Sequence, residues 1–129
     1  MLLDTHIVLA ILGQTDLILP PAVENLLRQT KSQYVSVVTI WEIAIKHRIG
    51  KLTLSIDLKN LPNLLVDIDI GILPIVSQHT LADIGIEPLT KDPFDRLLLG
   101  VCAAEHMKLL TMDRALMTHP LAWREKEGF

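Results

Sequence analysis

Apolar residues along this chain fall into two kinds of run. Met1-Leu2-Leu3, Tyr34–Val38, Ile72–Val76 and Leu109-Leu110-Thr111 are short and nearly unbroken, the length and composition of strands buried on both faces. Longer segments with helical spacing lie between them. One follows Pro20-Pro21, where proline suits a first helical turn, with Val23, Leu26 and Leu27 on one face. A second is expected from Ile40 to Arg48, stopping at Gly50, with shorter ones over Pro62–Asp67 and Gln78–Asp83. The clearest begins at Pro93, where Phe94, Leu97, Leu98, Val101 and Cys102 recur at i, i+3, i+4, i+7 and i+8. No helical period is legible directly after Asp4.

Strands alternating with helices predict βαβ units, and hence an α/β fold with a mainly parallel central sheet covered on both faces. The chain is expected to form a single domain over residues 1–129. Right-handed crossovers carry the carboxyl ends of the strands to one rim, outside which ligands of such sheets bind. Four acids fall there. Asp4 ends the first apolar run, and Glu42 is expected on the first turn of the helix after Tyr34–Val38. Asp95 lies on the first turn of the helix from Pro93, and Asp113 follows Leu109-Leu110-Thr111.

Carboxylates gathered at one rim repel one another and raise some of their pKa values unless cations are present. A cluster of oxygen ligands without Cys or His suits a hard cation, Mg2+ or Mn2+. Each acid also has a simpler reading. Thr39-Ile40-Trp41-Glu42 has the form of a capping box, and Asp92-Pro93-Phe94-Asp95 reads as an N-cap, a proline at N1 and an acid at N3. Asp113 can cap a helix from Arg114. Asp4 fits a cap least well, since no helix is expected to begin there, and a carboxylate buried after an apolar strand is costly without a partner.

Composition narrows the partners. Half of the chain is hydrophobic but only 4% is aromatic, so the interior is aliphatic. Twelve Lys and Arg against 15 Asp and Glu give a net charge of −3, which argues against coating nucleic acid or an anionic membrane through bulk charge. A local site for a polyanion remains open. The single cysteine, Cys102, excludes an internal disulfide framework and a Cys-rich zinc site, fits a reducing cytoplasm, and sits on an apolar helix stripe as core. The charge-free stretches Thr5–Thr15 and Ile70–Ala82 are too short to span a bilayer, so no membrane role is expected. Met-Leu-Leu-Asp carries no basic segment and is not expected to act as a signal peptide.

The five histidines never take the HExxH spacing of a zinc-protease helix. No GxxxxGK[ST] loop and no GxGxxG after a strand supports a nucleotide fold, and neither Ser36 nor Thr39 has a convincing partner as a nucleophile. Lys46, His47, Arg48 and Lys51 cluster just beyond Glu42. They can grip RNA phosphates beside the site, or simply complement a helix dipole in solvent. Arg96 can likewise touch phosphate or pair with Asp92.

Taken together and in order, four stretches are similar to PIN-domain ribonucleases, and closely to the VapC toxins of bacterial toxin–antitoxin pairs. They are Leu2-Leu3-Asp4-Thr5-His6, Ser36-Val37-Val38-Thr39-Ile40-Trp41-Glu42-Ile43-Ala44-Ile45-Lys46 running on to Gly50-Lys51-Leu52, Asp92-Pro93-Phe94-Asp95-Arg96-Leu97-Leu98, and Leu109-Leu110-Thr111-Met112-Asp113. The resemblance covers essentially the whole chain. It implies a PIN-like three-layer α/β/α domain and a hydrolase: a Mg2+-dependent endoribonuclease, with Mn2+ as the alternative ion, that cuts RNA phosphodiester bonds with metal-activated water. Asp4, Glu42, Asp95 and Asp113 match its catalytic, metal-binding acids. Asp92 is held more loosely, as a cap or a group behind the ligands, and Thr5 and Thr111 as groups that orient them. Lys46, Arg48, Lys51 and Arg96 are the candidate RNA contacts. The resemblance further implies a cytoplasmic toxin, an RNA substrate, a cognate antitoxin that blocks the site, and a homodimer. Only three residues precede Asp4, so a short first strand is expected. Two other classes stand beside this one. A metal-dependent phosphatase could use Asp4, although the haloacid-dehalogenase pattern wants a second Asp in place of His6. A non-catalytic PIN-like RNA- or protein-interaction module would keep the fold but lose acids.

Overall fold

The computed structural model describes residues 1–125, so the last four residues of the expected 1–129 domain lie outside the described part. Four strands, β1 (Leu2–Leu3), β2 (Gln33–Ser36), β3 (Ile70–Leu73) and β4 (Leu109–Leu110), form one sheet in the order β3-β2-β1-β4. Every pairing is parallel: Leu2 is in register with Tyr34 and Leu109, and Gln33 with Ile70. Seven helices are formed by the described residues: α1 (Thr5–Ile11), α2 (Pro21–Gln29), α3 (Val37–Arg48), α4 (Leu61–Asp67), α5 (Ser77–Leu81), α6 (Pro93–Glu105) and α7 (Arg114–Met117). A 3-10 turn, Leu58–Asn60, leads into α4.

Successive strand residues point to opposite faces of a sheet, and here that alternation divides the core in two. Leu3, Val35, Ile70 and Leu110 face one layer, where they meet Ile7, Val8, Val23, Ile43, Leu61 and Leu65 from α1 to α4. Leu2 and Leu109 face the other and meet Leu98, Leu99, Val101 and Cys102 of α6 with Leu116 of α7. The result is a three-layer α/β/α arrangement with the parallel sheet in the middle. Burial pushes the Cys102 thiol up to about 12, so it behaves as an apolar core group.

Several boundaries differ from those the sequence predicts, each for a local reason. A helix, α1, begins at Thr5, where none was expected, because Thr5, Ile7, Val8 and Leu9 are all buried and an apolar run hides its own period. The second strand ends at Ser36 rather than Val38. Ser36 leaves the strand as an N-cap, its hydroxyl accepting from Val38 N at 3.2 Å, and α3 starts at Val37 instead of Ile40. The third strand lies at Ile70–Leu73 rather than Ile72–Val76, ending just before Pro74, which has no N–H for a ladder. The short helix after it covers Ser77–Leu81 rather than Gln78–Asp83. No helix among the described residues is long and apolar enough to cross a membrane.

The tightest helix contact joins α5 to α6 at Gly100. A Cβ there would fall well inside van der Waals contact of the His79 carbonyl oxygen. His79 is itself buried and satisfied: its Nδ1 accepts from Val76 N at 3.2 Å, and its Nε2 lies 2.8 Å from Glu105 Oε1 on α6. Gly100→Ala is therefore expected to destabilise the fold by ~2 kcal/mol despite alanine's better helix propensity, because the backbone of α5 must move. Denaturant unfolding checks this, and an unchanged or raised midpoint would refute it.

Candidate active site

Chain order places β1, β2 and β3 successively to one side of the sheet, and β4 then pairs on the other side of β1. The reversal at β1/β4 is where ligands of parallel sheets gather. Asp4 stands there, immediately after β1, with its N–H donating to Leu110 O at 3.0 Å. Its carboxylate is almost fully buried, and both oxygens are held. Oδ1 accepts from Thr5 N at 2.7 Å, which makes Asp4 the N-cap of α1, and Oδ2 accepts from Thr111 Oγ1 at 2.6 Å across the β1/β4 seam. The expectation that Asp4 caps no helix is thereby corrected. The unseen helix α1 supplies the N–H that helps make burial of this charge tolerable.

Glu42 reaches the same place from α3. It is also buried, and its Oε1 accepts from Thr5 Oγ1 at 2.8 Å, so Thr5 bridges it to Asp4 through adjacent backbone and side-chain donors. Its Oε2 accepts from Lys46 Nζ at 2.5 Å. Because α3 starts at Val37, Glu42 sits in its second turn, and Thr39 lies inside the helix. The capping-box reading of Thr39 and Glu42 therefore falls. The Thr39 hydroxyl, one turn before Glu42 on the same face of α3, is buried with no hydrogen-bond partner among the described residues.

The two remaining acids enter on helix N-termini. Asp92 caps α6, with Oδ1 accepting from Phe94 N at 2.9 Å, and Asp95 follows within the first turn. Thr90 steadies this entry, its hydroxyl accepting from Asp92 N at 3.0 Å and contributing a hydrogen bond to Asp95. Sequence reasoning passed over Thr90, whose signal was a Thr two residues before an N-cap Asp. Asp113 caps α7, accepting from Ala115 N at 2.9 Å, and its own N–H donates to Thr111 Oγ1 at 3.0 Å. Thr111 thus touches Asp4 and Asp113 at once.

Charge shows how closely these groups crowd. Burial, and then the negative charges of Asp92, Asp4 and Asp113, push the Asp95 carboxyl up to about 7, partly relieved by the Thr90 hydrogen bond. Burial also raises Asp4, opposed by its bonds to Thr111 and Thr5 and the charge of His6, and reinforced by Glu42. Burial alone would lower Lys46, but its hydrogen bond and ion pair with Glu42, and the charges of Asp92 and Asp4, leave it above the usual lysine value.

The basic candidates separate. Lys46 is turned onto Glu42, while Arg48 and Lys51 are exposed. His47 Nδ1 lies 3.2 Å from Leu52 O beyond the helix end. Arg96 pairs with Glu87 at 3.4 Å rather than with Asp92. Against a divalent cation the acids fit in donor chemistry and in charge. They supply only hard oxygen donors, and their mutual repulsion is the kind a cation relieves. The acids are not drawn together in advance: among the described residues no three His, Cys, Asp or Glu side chains stand together as a metal-binding set.

The raised Asp95 has a consequence for stability. Its ordinary value is 3.8, so its preference for the protonated form favours the fold below that pH, and the advantage is lost as pH rises to about 7. Above that the charged cluster weakens the fold. Without divalent ions, Asp95→Asn is expected to raise stability at pH 8 by about 1 kcal/mol, the full linkage being cut by solvent at this half-buried site. The gain should shrink toward pH 4. A gain that ignores pH, or a loss at pH 8, would contradict this.

No curated protein and no solved structure matches the chain. The PIN domain family does match, over residues 1–118, a span that takes in every strand and helix described and all four rim acids. The chain therefore belongs to the PIN domain family, whose members are generally nucleases.

Proposed function

We propose that this protein is a Mg2+-dependent endoribonuclease and the toxin of a toxin–antitoxin pair, working as a single domain over residues 1–129. The observation that supports the reading is that Asp95 lies within reach of the negative charges of Asp92, Asp4 and Asp113, while Glu42 is tied to Asp4 through Thr5. Asp95 is pushed up to about 7 by burial and by its acidic neighbours. An interior assembled for stability alone would not stack carboxylates in this way. PIN nucleases generally use divalent ions. Mg2+, or Mn2+ in its place, is the ion proposed here, and Asp4, Glu42, Asp95 and Asp113 are its proposed ligands. When bound, such an ion neutralises the scissile phosphate and activates water for in-line attack.

The chain's own groups prepare that chemistry. Thr5 and Thr111 hold the Asp4 and Glu42 carboxylates in fixed orientation through bonds of 2.6–2.8 Å. Asp92 anchors the first turn of α6 and thereby the direction of Asp95. Arg48 and Lys51, exposed beyond the end of α3, are the proposed phosphate contacts, with Arg96 at the start of α6. Lys46 joins them on release from Glu42. The reading includes a cytoplasmic setting, a homodimer, and an antitoxin protein covering the acidic rim, in keeping with a family often found in toxin–antitoxin systems.

Incubation with total RNA tests the reading. Wild-type protein is expected to cleave in Mg2+ and to stop in excess EDTA. Asp4→Asn and Asp95→Asn should lose cleavage by about a thousandfold or more, a loss of ~4 kcal/mol in transition-state stabilisation, while their circular dichroism stays native. Undiminished cleavage in either variant would refute the assignment. RNA binding without cleavage in the wild type would favour the interaction module.

A further inference from the structure

Lys46 is the cation that the acidic rim already carries. It lies one helical turn beyond Glu42 on α3, the spacing that brings two side chains onto the same face. Its Nζ donates to Glu42 Oε2 at 2.5 Å, while the other carboxylate oxygen is taken by Thr5. Both oxygens of one proposed metal ligand are thereby engaged, one of them by a positive charge. That charge is also felt by Asp4 and Asp92, so it serves the cluster and not one pair alone.

Exposure separates the two partners. The Glu42 side chain is 8% exposed, whereas that of Lys46 is 37% exposed. An ammonium on a flexible four-carbon stem can withdraw into water without disturbing the helix, which a buried carboxylate cannot do. The pair is lopsided: one member is fixed and the other is replaceable.

We propose that Lys46 is a displaceable internal counter-cation: it neutralises the acid cluster in the ion-free protein, competes with a divalent ion for Glu42, and so weakens divalent binding. The inference rests on the metal-nuclease reading above and deepens it. A merely structural lysine would make the opposite prediction, since removing a group that only orients Glu42 can weaken ion binding but not strengthen it. Displacement also gives the basic cluster a sequence of events, in which Lys46 becomes free for an RNA phosphate once Glu42 is occupied.

Calorimetric titration with Mn2+ alone, without RNA, tests this on wild-type, Lys46→Met and Lys46→Arg protein, with melting temperatures in EDTA and in Mn2+ beside it. Lys46→Met keeps the stem and removes the charge. It should bind Mn2+ about tenfold more tightly, as loss of one nearby like charge at a partly exposed site allows. Its melting temperature should fall in EDTA, and its rise on adding Mn2+ should exceed that of the wild type. Lys46→Arg should stay close to wild type in both. If Lys46→Met melts too early for calorimetry, the Mn2+-induced rise in melting temperature decides alone. Equal or weaker Mn2+ binding by Lys46→Met overturns the inference while leaving the nuclease reading standing, provided the wild type cleaves RNA in Mn2+. A wild type that neither binds Mn2+ nor cleaves RNA, with a Lys46→Met variant that is equally inert, overturns both.

Discussion

Two carboxylates, Asp4 and Glu42, lie almost wholly out of water at the carboxyl edge of the sheet, and much of the surrounding structure serves to make that burial tolerable. An isolated buried carboxylate would be far too costly to keep charged, so each oxygen must find a donor. Thr5 gives its N–H to one acid and its hydroxyl to the other, which fixes their separation through a single residue. Thr111 binds Asp4 from just beyond the end of β4, and through its hydroxyl also takes the N–H of Asp113. Lys46 supplies the remaining donor to Glu42. The parallel pairing of β1 with β4 is thus tied together at its end by a polar network as well as by Leu2, Leu3, Leu109 and Leu110.

The same constraint explains why the acids arrive on helix starts. Asp4, Asp92 and Asp113 each accept from the first turn of a helix, so capping and clustering are one arrangement and not rival explanations. Helix N-termini offset part of the repulsion that crowding creates. Asp95, half-buried beside these acids, is displaced toward neutrality first by burial and then by the charges of Asp92, Asp4 and Asp113. A fold selected only for stability would relax this crowding; a site that awaits a cation would keep it.

Much of this was legible in the sequence. The short aliphatic runs marked all four strands, and the acids after them marked the rim, because parallel topology leaves little choice about where strand ends go. Asp92-Pro93 announced the start of α6, since proline at N1 has few other uses beside an Asp. What escaped the pattern was α1, where Thr5–Ile11 is apolar on nearly every side and so has no visible period. Its absence made Asp4 look like an uncapped acid and hid half of the Thr5 bridge. Glu42 lies one turn further into α3 than the pattern suggests, because Ser36 and Thr39 are both plausible caps and only backbone geometry chooses Ser36. The inward turn of Lys46 was equally out of reach: its sequence neighbours His47, Arg48 and Lys51 suggest a solvated basic end, whereas the i, i+4 partner decides its direction. Long-range pairs such as Thr111 with Asp4 have no local signature at all.

The central claim is that the acid cluster receives a divalent cation. Paramagnetic line broadening by substoichiometric Mn2+ in amide NMR spectra locates such an ion directly. The account predicts early, selective loss of the amide signals of Thr5, Phe94 and Ala115, the three N–H groups bound to Asp4, Asp92 and Asp113. Broadening that begins elsewhere on the surface, or that spares these three amides at saturating Mn2+, would contradict it.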